Sequence, residues 1–258
     1  MTIDSHCHLD QADYNEPVSG VIQRAQTVGV QHILAIACCA DDFAELAQQL
    51  KKYPSLFGAF GIHPEYAHQP QQLDNLKDYL LKSKAVALGE CGLDYHEAEA
   101  TPKQQQDLFW QQIDLAHELH LPLMIHARDA EGDMRAILKQ AYQDGKLADG
   151  FVLHCFSGSL DMAKEAIKMG GYLSASGVIT FKNAERVRNI FAEIPLENLL
   201  VETDAPYLAP HPLRGTPNEP AYVQYTLAKL AEVKGVSVAD MEKITTDNFY
   251  RLYQRREG

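Results

Sequence analysis

Met1-Thr2-Ile3-Asp4-Ser5-His6-Cys7-His8-Leu9-Asp10 is the stretch on which the reading of the fold turns. Thr2, Ile3, Cys7 and Leu9 suit an extended, buried segment, and histidines at i and i+2 of a strand face the same side. Two imidazoles side by side on a buried face are costly unless something engages their lone pairs, and a divalent cation is the usual reason. Taken alone, His6 and His8 fit an ordinary hydrogen-bonded pair equally well. The question is whether the chain supplies further ligands.

Working outward, the pattern is one of short apolar runs alternating with amphipathic helices. His32 to Ala37, Leu56 to Gly61, Ala85 to Glu90, Leu121 to His126, Phe151 to His154, Tyr172 to Ser176 and Leu199 to Asp204 read as seven further strands. None alternates strictly, as expected of parallel strands covered on both faces. Between them, helices are read from Val18 to Val28 (ended by Gly29), through Phe43, Leu46, Ala47 and Leu50, and from Leu73 to Leu81. More follow after Pro102, near Met134 to Gln143, through Leu160, Ala163 and Ile167, and from Ala184 to Ala192. Two helices close the chain, one near Tyr222 to Lys234 and one after Ser237, whose spacing to Asp240 fits a capping box. Pro206 to Pro220 reads as a long ordered loop. Eight strands alternating with helices predict an α/β fold: a single (β/α)8 TIM barrel, one domain over residues 1–258. An open doubly wound sheet would leave the polar strand ends without a purpose.

Composition bounds the function. Hydrophobic residues are 46% and charged residues 22% of the chain, an ordinary globular balance. No apolar run approaches the roughly 20 residues that span a bilayer, and Met-Thr-Ile-Asp lacks the pattern of a signal peptide. A cytoplasmic protein with no membrane partner is expected. The net charge of −12 disfavours a broad basic face for nucleic acid. It leaves room for an enzyme of phosphodiesters, where bound cations invert the charge of an acidic cleft. Cys7, Cys38, Cys39, Cys91 and Cys155 show no C-x-x-C spacing and are read as buried reduced thiols.

The strand ends carry the chemistry. His6 and His8 end the first strand, Glu90 the fourth, His126 the fifth, His154 the sixth and Asp204 the eighth. In a parallel barrel these carboxyl ends form one rim, where catalytic groups of such barrels sit. Four imidazoles and two carboxylates are enough for two divalent cations about 3.5–4 Å apart, with Glu90 bridging them. Nitrogen and oxygen donors suit Zn, Mn, Mg, Fe or Ni alike. Two cations would bring the pKa of a shared water near neutrality, and Asp204, as ligand and proton acceptor, is expected to take its proton.

These residues fall in motifs that resemble the TatD family of metal-dependent hydrolases, within the wider amidohydrolase-like superfamily. The resemblance runs through Asp4-Ser5-His6-Cys7-His8-Leu9, Gly61-Ile62-His63-Pro64, Gly89-Glu90-Cys91-Gly92-Leu93-Asp94-Tyr95 and His126-Ala127-Arg128-Asp129-Ala130. It continues through His154-Cys155-Phe156-Ser157-Gly158, Gly177 to Lys182, Glu202-Thr203-Asp204-Ala205-Pro206-Tyr207-Leu208, Arg214-Gly215, Asn218-Glu219-Pro220 and Asn248-Phe249. It implies a TIM barrel with two metals held by His6, His8, Glu90, His126, His154 and Asp204. It also implies, as in several family members, a deoxyribonuclease, often a 3′-to-5′ exonuclease. Two departures stand out: Cys91 where Ile, Val or Thr is common, and His96 where an aromatic residue is commoner.

Around this set, His63 is expected to support the rim and Glu202 to orient a ligand. Arg128, Ser157, Lys182 and Arg214 lie in rim loops and are the candidate substrate contacts, with Tyr207 and Phe181 as possible stacking rings. DNA ends or short single strands are the expected substrate, with no obligate protein partner. Two rivals are carried: hydrolysis of a small ester, lactone or amide by the same metal water, and a non-catalytic barrel that keeps metal for stability.

Overall fold

Apolar strands and amphipathic helices do alternate as the pattern predicts. The computed structural model describes residues 1–10, 14, 16–69, 73–83, 85–96 and 100–253. In chain order the elements are β1 (Thr2–His8), α1 (Val18–Thr27), β2 (Val30–Ala37), α2 (Phe43–Lys52), β3 (Leu56–Phe60) and α3 (Leu73–Lys82). Then come β4 (Ala87–Asp94), α4 (Pro102–Leu119), β5 (Leu123–Arg128), α5 (Glu131–Gln143), β6 (Phe151–Leu153) and α6 (Leu160–Lys168). The last are β7 (Tyr172–Ala175), α7 (Glu185–Glu193), β8 (Leu199–Val201), α8 (Val223–Lys234) and α9 (Val238–Tyr253).

The eight strands form one sheet in sequence order, each neighbour parallel to the next. Closure between the two edges uses the chain just past β8. His8 N–H donates to Ala205 O at 2.8 Å, and Asp204 N–H to His6 O at 3.0 Å. Asp4, fully buried, accepts from Thr203 N–H at 2.9 Å and from Thr203 Oγ1 at 2.5 Å. The barrel is therefore a closed (β/α)8 fold.

Two apolar regions hold it. Phe43, Phe60, Phe109, Phe151 and Phe191 are buried between the sheet and its helices. Inside the barrel, Leu34, Ile36, Ala59, Met124, Val152 and Leu200 pack with Phe249, Leu252 and Tyr253 of α9. Helix α9 sits at the amino ends of the strands, where Asn248 Nδ2 donates to Leu196 O and Leu199 O, both at 2.8 Å. The far end of the barrel is thus stoppered, and polar chemistry is left to the carboxyl rim. At the start of α9, Asp240 N–H donates to Ser237 Oγ at 3.1 Å, and the Ser237 hydroxyl donates to Asp240 Oδ2 at 2.6 Å. The side chains meet as the capping-box spacing predicts, but the return bond to the Ser237 backbone is replaced by one to its hydroxyl. Among the described residues no helix is long and apolar enough to cross a membrane.

The strand ends differ from the sequence reading. Glu90 does not end β4, which runs four residues further to Asp94, and His126 lies two residues short of the end of β5. Asp204 lies three residues beyond β8, in the loop. The reason is backbone irregularity: register slips between Asp4 and Cys7 against β2, and between Leu88 and Cys91 against β5. Both slips bracket a predicted ligand. Gly92 follows the second slip at φ +131°, and a Cβ there would stand 2.1 Å from His126 O, so only glycine lets β4 and β5 approach this closely.

Candidate metal centre

Despite those different depths, the six predicted ligands converge. Glu90 is their hub, almost fully buried, with one oxygen turned to each half of the set. Its Oε2 lies 3.4 Å from His6 Nε2 and 3.8 Å from His8 Nε2. Its Oε1 lies 2.7 Å from His154 Nε2 and 2.9 Å from His126 Nδ1. Asp204 completes the first half, its Oδ1 at 3.4 Å from His6 Nε2 and 3.7 Å from His8 Nε2. It reaches this position because its backbone takes φ +58°, a left-handed turn that Asp tolerates.

The spacing tests whether these residues fit cations. Donors about 2.0–2.2 Å from one tetrahedral ion stand roughly 3.3 Å from each other. In the first half the ring nitrogens of His6 and His8 are 3.2 Å apart, facing each other, and the carboxylate oxygens lie at 3.4–3.8 Å. Two imidazole nitrogens aimed at one point, with carboxylates around it, match a cation's needs better than a hydrogen bond's. In the second half His126 Nδ1 and His154 Nε2 are 3.2 Å apart beside Glu90 Oε1. The donor set is nitrogen and oxygen throughout, suited to a hard or borderline divalent ion.

Outer contacts meet three of the four rings. His6 Nδ1 rests 3.0 Å from Met124 Sδ, a weak acceptor that leaves Nε2 for the centre. His126 Nε2 meets Asp94 Oδ2 at 2.9 Å, and His154 Nδ1 lies 3.4 Å from Glu202 Oε1. Glu202 is itself held by Cys155 N–H at 2.6 Å. His63, read as rim support, turns its Nε2 to Glu90 Oε1 at 3.6 Å and groups with Glu90 and His126 as a third set able to hold a metal.

Charge follows from this packing. Burial alone pushes the Glu90 carboxyl up, but His154, His126 and His6 outweigh it and hold it well below the usual range. Asp204 is likewise lowered, burial being overcome chiefly by His8 and then His6. His6 is pushed down by burial and by neighbouring His154, which favours a neutral ring with an available lone pair. Asp4, two residues before His6 and not singled out in the sequence, is pushed up to about 8 by burial against the lowering effect of its Thr203 bonds.

Sequence reasoning missed Asp94 and Cys38. Asp94 lies beyond the apolar run that ends at Glu90, whereas β4 extends to it. Cys38, expected to be a buried reduced thiol, is partly exposed, and its thiol lies 3.6 Å from Glu90 Oε2 and 3.9 Å from His8 Nδ1. Cys39 and Cys155 are likewise only partly buried, so the expectation of five buried thiols holds for Cys7 and Cys91 alone. The four candidate substrate contacts lie on segments at the carboxyl ends of β5 to β8. Arg128, Ser157, Lys182 and Arg214 are all exposed there. Arg214 lays its guanidinium over the Phe181 ring, 3.9 Å from its centre. Two arginines not singled out hold these loops: Arg186 donates to Ser157 O and Gly158 O, and Arg188 to Ile179 O and Phe181 O.

Known proteins resemble this chain over nearly its whole length. The family model for TatD related DNases matches residues 3–254. The chain is 39% identical over 256 residues to YabD of Bacillus subtilis strain 168, an uncharacterized metal-dependent hydrolase, covering 98% of this chain and 99% of that one. It is 38% identical over 255 residues to YcfH of Escherichia coli K12, described in the same words, covering 97% and 95%. Among solved structures, the TatD homologue YjjV of Escherichia coli K12 superposes with a TM-score of 0.89 at 32% identity, covering 98% of each chain.

Proposed function

Because this chain belongs to the TatD family of metal-dependent hydrolases, we propose that it cleaves phosphodiesters at DNA ends or in short single strands. The observation that carries the reading is Glu90, with one oxygen facing His6 and His8 and the other facing His126 and His154. His6, His8 and Asp204 would hold one cation, His126 and His154 a second, and Glu90 both. When bound, such cations acidify water and offset charge on a phosphoryl oxygen.

The chain's own groups do the rest. Asp204 meets the imidazoles through Oδ1, and its second oxygen accepts the proton of the attacking water. Its lowered pKa keeps it ionised at neutral pH. Asp94 holds the His126 ring through its outer nitrogen, and Glu202 faces the outer nitrogen of His154 at 3.4 Å. Arg128, Ser157, Lys182 and Arg214 contact the phosphates of the strand from the rim. A net charge of −12 fits a short, local grip better than a long duplex track.

A panel tests the reading: single-stranded DNA, bis-p-nitrophenyl phosphate and aryl esters, each with Mn²⁺ or Mg²⁺ restored to chelated protein. Turnover of the first two, absent before metal is added and lost in Glu90→Gln, is the expected result. Turnover of aryl esters alone would make the chain a carboxylic ester hydrolase. Glu90→Gln protein that keeps wild-type turnover would remove Glu90 from the site.

A further inference from the structure

The rim presents an aromatic ring that the metal chemistry does not use. Tyr207 is 58% exposed, and its ring stands edge-on to His8, 5.9 Å between centres and 74° between planes. A single exposed tyrosine needs no special account. This one stands beside His8, one of the residues that would hold a cation.

Its backbone is tied on both sides. Tyr207 N–H donates to Asp204 O at 2.9 Å, and Tyr207 O accepts from Asn218 Nδ2 at 2.6 Å. Asn218 is buried and also donates to Thr203 O at 2.8 Å. The next residue, Leu208, presses its carbonyl onto Gly177, where a Cβ would stand 2.1 Å from Leu208 O. Further along, His211 N–H donates to Thr180 Oγ1 at 2.8 Å. The loops after β7 and β8 are therefore interlocked, and the ring projects from a fixed base. Fixed aromatic faces are how single-stranded nucleic acid is gripped, because every base has a π-face and one that leaves the helical stack is free to lay it on a ring.

The geometry points to Tyr207 as the stacking platform for the nucleobase next to the phosphodiester at the metal centre, so that the substrate is a single-stranded end with an unstacked base. The inference rests on the phosphodiesterase reading above and adds the part of the substrate that reading leaves open. Bis-p-nitrophenyl phosphate carries rings of its own, so the test uses a base-free comparison.

Wild type, Tyr207→Phe and Tyr207→Leu are assayed on oligothymidylate and on the same strand with its last two residues replaced by abasic tetrahydrofuran units. Metal content is measured for each protein. Wild type and Tyr207→Phe are expected to prefer the intact strand by about 5- to 150-fold in kcat/KM. Tyr207→Leu is expected to lose that preference, cleaving the intact strand as slowly as the abasic one. Equal loss on both strands in Tyr207→Leu would assign the ring to holding His8, and no change on either would leave it without a role; each overturns the inference alone. Wild-type protein that cleaves neither strand overturns the phosphodiesterase reading, and the inference falls with it.

Discussion

At the scale of single residues, the centre depends on groups one bond removed from the predicted ligands. Asp94 is the clearest. Its Oδ2 meets His126 Nε2 at 2.9 Å, and its Oδ1 accepts from His96 N–H at 2.9 Å. Outer partners of this kind fix the tautomer and aim of a ligating imidazole, and their loss costs about 10- to 100-fold in metal affinity or activity. Asp94→Asn is expected to show that loss in a metal titration with little change in thermal midpoint. Unaltered metal affinity would make the contact incidental. Asp94 was within reach of the sequence, since positions 90, 92 and 94 of one strand share a face. Asp4, His6 and His8 repeat the same spacing, yet only the histidines stand out in the sequence, because a lone strand Asp gives no sign of the partner it will meet. The hub role of Glu90 was legible as chemistry, whereas its depth in β4 was not, because nothing local announces a register slip.

At the scale of elements, buried polar side chains brace the loops that carry the site. Gln105 and Gln112 stand two helical turns apart on α4. Gln112 accepts from Ile62 N–H at 2.8 Å and donates to Ile62 O at 2.9 Å. Gln105 does the same for Asp94, at 2.8 Å and 2.7 Å. One helix thus fixes the segments bearing His63 and Asp94. Removing such a partner leaves buried backbone groups unmatched, at about 1–3 kcal/mol for each. Gln112→Leu is expected to destabilise the fold by about 2–6 kcal/mol in urea unfolding. An unchanged midpoint would mean that the Ile62 amide finds other partners. Asp4→Ala is expected to cost a similar amount, because it frees Thr203 at the seam where β1 meets the chain beyond β8. In a Thr203→Val background Asp4→Ala is expected to cost less than in the wild-type protein, because the hydroxyl bond is already gone while the backbone N–H bond remains to be lost; fully additive losses would place the cost outside the hydroxyl bond. Helix and strand identities were readable from apolar spacing. The braces were not, because a glutamine on a helix gives no sign of which backbone it will meet.

At the scale of the whole molecule, the division of labour is between ends. Helix α9 and the apolar interior fill one end of the barrel, so the other can gather four imidazoles and two carboxylates without unfolding the chain. That concentration of buried donors makes the folded state the one that binds cations. A ligand that prefers the folded chain stabilises it by about 2.7 kcal/mol at a hundredfold excess over its dissociation constant. Stripping with a chelator is therefore expected to lower the thermal midpoint, and Mn²⁺ to restore it, with the shift abolished in His6→Ala. A midpoint indifferent to chelation and metal would separate these side chains from any cation. The barrel class and the convergence at its rim could be read from the sequence, because strand ends of a parallel barrel share one face whatever their separation along the chain.

The most direct test is anomalous diffraction at the manganese edge from crystals soaked in Mn²⁺. Two peaks are predicted, one bounded by His6, His8 and Asp204 and one by His126 and His154, with a Glu90 oxygen touching each. Absent density there, or peaks confined to the acidic outer surface, would contradict the account.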